Sequence, residues 1–83
     1  MIVNVKKLLQ KAEKSPHNLR FSELVRIIES FGFRIDRVSG SHCIFVHPDI
    51  PELMNVQDRK GQAKSYQIKQ LLSLVEKYKL EQQ

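Results

Sequence analysis

Cysteine is nearly absent from this chain of 83 residues, and Cys43 stands alone. One thiol cannot close an internal disulfide, and no Cys/His spacing has the form of a zinc site, so neither kind of staple is expected. That usage fits a reducing, cytoplasmic setting. Glycine is sparse as well. Gly32, Gly40 and Gly61 lie too far apart to build a phosphate-cradling loop, which argues against nucleotide hydrolysis. An extended apolar segment is missing from the start of the chain. Met1 to Val5 is apolar, but Lys6 and Lys7 follow at once, so neither secretion nor membrane insertion is indicated. Acidic residues are outnumbered: 9 Asp and Glu stand against 14 Lys and Arg, giving a net charge of +5 and a pI near 9.6. The favoured partners are anionic: nucleic acid, an acidic protein surface or a lipid headgroup. A chain this short buries only about 60–65% of its unfolded surface, enough for one domain with one core and a shallow site at its surface. A deep cofactor cavity is not expected.

What is present divides into recognisable elements. Residues 2–14 carry Val5, Leu8, Leu9 and Ala12 at helical spacing between lysines, the pattern of a short, peripheral amphipathic helix. Ser15-Pro16-His17-Asn18 breaks it. Ser22 is the expected N-cap of a second helix, with Glu23 in its first turn, Leu24, Ile27, Ile28 and Phe31 on its buried face and Gly32 as its stop. Phe33 to Val38 reads as a strand whose last alternation is imperfect. Ser39-Gly40-Ser41 turns the chain into a second strand at 42–47, which Pro48-Asp49-Ile50-Pro51 ends. Leu53 to Gln57 suits a third short strand, and Asp58 to Gln62 reads as a polar, mobile loop. From Ser65 onward, Ile68, Leu71, Leu72, Val75 and Tyr78 make one apolar helical stripe. The expected architecture is α+β: an additional N-terminal helix, then α-β-β-β-α, with two helices on one face of a three-stranded antiparallel sheet. Residues 1–18 read as an extension and linker, and 19–83 as the domain proper.

The chemistry-bearing segment is Gly40-Ser41-His42-Cys43-Ile44-Phe45-Val46-His47-Pro48-Asp49. It places an imidazole directly after a flexible turn and at the start of an apolar strand, where neighbours restrict its rotamers. Histidine is the side chain suited to proton transfer near neutrality. A hairpin turn with a structural His at its shoulder accounts for the same residues. His42, Ile44 and Val46 point one way and Cys43, Phe45 and His47 the other, but both sets are partly apolar, so periodicity does not choose the core face. His17 reads as a solvated linker residue and Cys43 as a small core residue. Tyr66, at the start of the last helix, reads as a packing residue or a platform for a stacked base, and Lys69, Lys77 and Lys79 as its polar side, either solvated or in contact with RNA.

Taken in order, Phe31-Gly32-Phe33, Gly40-Ser41-His42, Ile44-Phe45, His47-Pro48-Asp49 and Lys64-Ser65-Tyr66-Gln67-Ile68 resemble the HicA toxins of bacterial HicAB toxin–antitoxin pairs. The resemblance spans about residues 20–80. It implies a fold similar to double-stranded-RNA-binding domains and the activity of a metal-independent endoribonuclease, an mRNA interferase, with no cofactor. It further implies messenger RNA as substrate and a HicB-type antitoxin as protein partner. By matching position the catalytic role falls on His42, held by the turn residues Gly40 and Ser41, with Cys43 and Phe45 inside and His42 on the open side of the sheet. Many relatives carry a second His immediately afterward, where this chain has Cys43.

On that reading His42 removes the proton of the ribose 2′-hydroxyl. Arg37, Lys60 and Lys64, each near the hairpin or the polar loop, are the candidate cations for the phosphate. His47, a lysine or water would protonate the leaving oxygen. Two other readings stand beside the ribonuclease: a non-catalytic basic RNA-binding module, and a protein-interaction domain whose first helix docks on an acidic partner.

Overall fold

The computed structural model describes residues 5–83. Helix α1 (Val5–Lys14) is followed by a 3-10 turn (Pro16–Asn18), helix α2 (Phe21–Ser30), strands β1 (Arg34–Ser39), β2 (His42–His47) and β3 (Ile50–Gln57), and helix α3 (Ser65–Tyr78). Positions 2–4 of the expected first helix lie outside the described residues. The sheet is antiparallel in the order β1-β2-β3. With a helix before it and another after it, this is the α-β-β-β-α order of double-stranded-RNA-binding domains, preceded by an additional helix.

The core lies between the helices and one face of the sheet. Leu24, Ile27 and Ile28 of α2 and Ile68, Leu71 and Leu74 of α3 are buried with Phe45, Met54 and Val56 of the strands. Ala12 of α1 and Leu19 of the connection belong to the same cluster. Residues paired across an antiparallel ladder share a face. Phe45 opposite Met54, and Cys43 opposite Val56, therefore define the helix side. Among the described residues, the opposite face carries no helix.

Three local expectations need correction. The N-cap of α2 is Arg20, two residues before Ser22, because the Glu23 carboxylate accepts the Arg20 backbone N–H at 3.0 Å and so fixes the first turn earlier. Strand β3 starts at Ile50, not Leu53, and runs through Pro51. This works because β3 is an edge strand and its pairing with β2 is irregular between Phe45 and His47, so the missing proline N–H breaks no regular ladder. The loop from Asp58 to Gln62, expected to be mobile, is tied down. Gly61 N–H donates to Asp58 Oδ1 at 2.7 Å, Asp58 N–H to the Ser41 carbonyl at 2.9 Å, and Phe21 N–H to the Gly61 carbonyl at 2.9 Å.

The imperfect alternation of β1 has a structural cause. The register shifts between Ile35 and Arg37, so Asp36 is an extra residue. Ile35 opposite Phe45 and Val38 opposite Cys43 then face the helix side, while Arg34 opposite Val46 and Arg37 opposite Ile44 face the open side. Since β1 is the other edge strand, the helices do not reach over it, and Ile35 and Val38 remain 50% and 63% exposed.

One surface cluster ties α3 to the sheet edge. Glu52 of β3 accepts from the Tyr78 hydroxyl and from Lys77 Nζ at 2.9 Å. The Tyr78 hydroxyl, and then the Lys77 ammonium, hold the Glu52 carboxyl below its ordinary value. At Glu23 burial pushes the carboxyl up, but the Arg20 N–H and the Lys11 ammonium outweigh it and the net shift is downward. Both groups release their proton more readily folded than unfolded. Their contribution is therefore present above the ordinary value of 4.5 and lost as pH falls through the lower folded values. The melting temperature is expected to decline modestly on acidification below about pH 4.5, and Glu52→Gln to flatten part of that decline in a series of thermal melts.

Candidate active site

His42 is the first residue of β2, directly after the turn that joins it to β1. It lies opposite Ser39 on one side and Gln57 on the other, on the face away from the helices, and is exposed. The register gives that face a definite composition: Arg34, Arg37 and Ser39 from β1, His42, Ile44 and Val46 from β2, Asn55 and Gln57 from β3. It is a shallow polar surface with an apolar centre and two guanidiniums along one edge.

The imidazole is oriented from the neighbouring strand. His42 Nδ1 lies 3.0 Å from Asn55 Oδ1. Nε2 has no protein partner among the described residues. Gln57, directly across from His42, donates from Nε2 to Ser41 Oγ at 3.3 Å. The turn is thus held twice, by that contact and by the Asp58 N–H on the Ser41 carbonyl at 2.9 Å. Gly40 adopts φ of +59°, a left-handed conformation that suits glycine, and a Cβ there would meet nothing within 4 Å. Gly40 is therefore a backbone requirement of the turn and not a close-approach site.

The candidate cations do not all converge on His42. Arg37 shares its face and pairs with Asp36 at 3.5 Å, a contact between two exposed side chains. Such a pair contributes little and leaves the guanidinium available to a phosphate. Lys60 sits in the loop tied to Ser41, with φ of +54° and its side chain in solvent. Lys64 is the N-cap of α3, in the helical layer, with its ammonium 5.8 Å from the centre of the Tyr66 ring. Tyr66 itself is 54% exposed and does not pack as expected, because it lies on the side of α3 away from buried Ile68 and Leu71.

His47 belongs elsewhere. It is buried on the helix side, with Nε2 3.1 Å from the Phe31 carbonyl and Nδ1 3.1 Å from the Asp49 N–H. A backbone N–H can only donate and a carbonyl only accept, so the two contacts fix the neutral ring with hydrogen on Nε2. As a proton donor to a leaving group on the open face, it is ruled out by position. Cys43 is half-buried against the core.

Sequence reasoning missed Asn55, Gln57 and Arg34. The signal for the first two was the alternation of β3 itself, since buried Met54 and Val56 place Asn55 and Gln57 on the other face with His42. Arg34 was hidden by the extra residue at Asp36, which reverses the parity between Arg34 and Arg37.

Residues 21–76 match the family model described as the HicA toxin of bacterial toxin–antitoxin pairs. No curated protein and no solved structure matches the chain.

Proposed function

The chain belongs to the HicA toxin family and is the toxin half of a bacterial toxin–antitoxin pair, and from that premise we propose that it is a metal-independent endoribonuclease acting on messenger RNA with His42 as general base. The observation that carries this reading is the geometry of His42. It is strand-borne and exposed on the face away from the described helices, with one ring nitrogen engaged by Asn55 and the other without a protein partner among the described residues.

The chemistry uses what RNA supplies. His42 Nε2 takes the proton of the 2′-hydroxyl, O2′ attacks the adjacent phosphorus, and the bond from phosphorus to the 5′ oxygen breaks. The products are a 2′,3′-cyclic phosphate and a 5′-hydroxyl end, whose proton comes from solvent on the open face. Arg37, on the same face, meets the negative charge that grows on the phosphoryl oxygens. Arg34 and Lys60 extend the cationic surface along the strand edge and the turn. A HicB-type antitoxin would silence the enzyme by covering this face, and both act where messenger RNA is, in the cytoplasm.

The test is cleavage of a defined single-stranded RNA in EDTA, beside the same strand with one 2′-deoxy sugar at the cut position. Wild type is expected to cut the first and spare the second, leaving a cyclic phosphate. Binding of both strands with no cleavage of either would move the protein to a non-catalytic RNA-binding module.

A further inference from the structure

We propose that Asn55 is the positioning residue of the site, setting which nitrogen of His42 carries hydrogen and holding the ring at the angle from which Nε2 meets substrate. The inference rests on the reading of His42 as the base. Its own observations are independent of that reading.

Asparagine is disfavoured inside a strand, where β-branched and aromatic residues pack better. Asn55 nevertheless lies inside β3, between buried Met54 and Val56, and contributes an exposed side chain that the core does not need. Its recorded contact is with the imidazole. Ile44 stands directly opposite Asn55 and His42 directly opposite Gln57, so Asn55 and His42 are diagonal neighbours on one face, within reach of long or polar side chains. Gln57, the nearer rival for the ring, is turned to Ser41.

The consequence is chemical. As placed, Asn55 presents its carbonyl oxygen to Nδ1 at 3.0 Å. A carbonyl only accepts, so Nδ1 carries the hydrogen and Nε2 of the neutral ring holds a free lone pair. Without Asn55 the ring is free to place its hydrogen on Nε2, where it cannot accept a proton from the 2′-hydroxyl. An amide suits this task better than a carboxylate. It fixes ring and tautomer without a negative charge, which would favour the imidazolium and withdraw the base near neutrality. Both residues sit on paired strands instead of a free loop, so the ring is held by the sheet.

The experiment combines nitrogen-15 spectra of the imidazole with cleavage of the defined RNA across pH, in wild type, Asn55→Ala, Asn55→Asp and His42→Ala. Wild type is expected to show hydrogen on Nδ1 of neutral His42. Asn55→Ala should shift the tautomer balance toward Nε2 and lower the cleavage rate by about 10- to 100-fold, by analogy with the loss of a partner that orients a metal-bound histidine. Its melting temperature should stay that of wild type. Asn55→Asp should keep hydrogen on Nδ1 and move the acid limb of the rate profile to higher pH by roughly a unit. A wild-type spectrum with hydrogen on Nε2 overturns the inference. So does an Asn55→Ala protein with unchanged rate, pH profile and tautomer while His42→Ala is inactive, a result that leaves the base assignment standing. Wild-type cleavage by His42→Ala overturns the base assignment and the role of Asn55 that rests on it, whatever the spectra show.

Discussion

Replacing His42 by alanine is expected to lower RNA cleavage by about 10²- to 10⁴-fold, the span attributable to a positioned general base, with almost no change in stability. The two halves of that expectation come from the same fact. His42 is exposed at the head of β2, and its recorded side-chain contact is with Asn55, itself exposed. Removing the ring opens no cavity and strands no buried polar group, so the stability change should stay within about 0.5 kcal/mol. An activity lost without a change in melting temperature is the signature of a chemical role. The purified variant should bind the RNA with an affinity near that of wild type, since Arg34, Arg37 and Lys60 remain to contact phosphates. That residual binding should weaken steeply with added salt, as contacts to phosphate do. Cleavage by a folded, nuclease-free His42→Ala protein at the wild-type rate would remove His42 from the mechanism. The surface would then be one that only binds.

The elements were legible where one physical pattern decided them. In α2 the spacing of Leu24, Ile27, Ile28 and Phe31 named the buried face and Gly32 named the end, and each is as read. The apolar stripe of α3 was equally plain, and Leu74 joins it in the core. Strand β2 resisted, because Ile44 and Val46 are as apolar as Cys43 and Phe45. What selects the buried set is the pairing of Phe45 with Met54 and of Cys43 with Val56, a long-range fact that no single strand encodes. The start of β3 was hidden by Pro51, since a proline reads as a strand breaker until the strand is known to be at an edge. The site divides along the same line. His42, Gly40 and Ser41 are contiguous and announce themselves. Asn55 lies thirteen residues away and becomes visible only when register places it diagonally across from the imidazole.

The two histidines of β2 permit a sharper test, because they are five positions apart on opposite faces of one strand. His47→Ala is expected to behave as the inverse of His42→Ala: a large loss of stability, and no direct loss of chemistry. His47 completes the C-terminal end of α2 by donating to the Phe31 carbonyl at 3.1 Å, one of the last-turn oxygens that a helix cannot satisfy for itself. Its other nitrogen accepts the Asp49 N–H and so closes the Pro48-Asp49 turn into β3. Its ring edge meets Phe33 in a T-shaped contact at 5.1 Å and 71°. The fit extends to Gly32, which has φ of +94°, and a Cβ there would stand 3.0 Å from His47 Nε2. Alanine at 47 would leave the buried Phe31 carbonyl without its donor, at about 1–3 kcal/mol, and would add a void beside Phe33. A total of about 2–4 kcal/mol is a large share of the roughly 4–12 kcal/mol that a domain of this length possesses. It should appear as a fall of about 10–25 °C in melting temperature. Glutamine, whose amide offers N–H donors and a carbonyl acceptor, should recover part of the loss, so the order of stability is His, then Gln, then Ala. Below its own melting transition, His47→Ala should still cleave RNA at close to the wild-type rate per folded molecule. An unchanged melting temperature with cleavage abolished would instead place His47 in the chemistry, and would require β2 to present both imidazoles to one substrate, which the burial of one and the exposure of the other forbid in this fold.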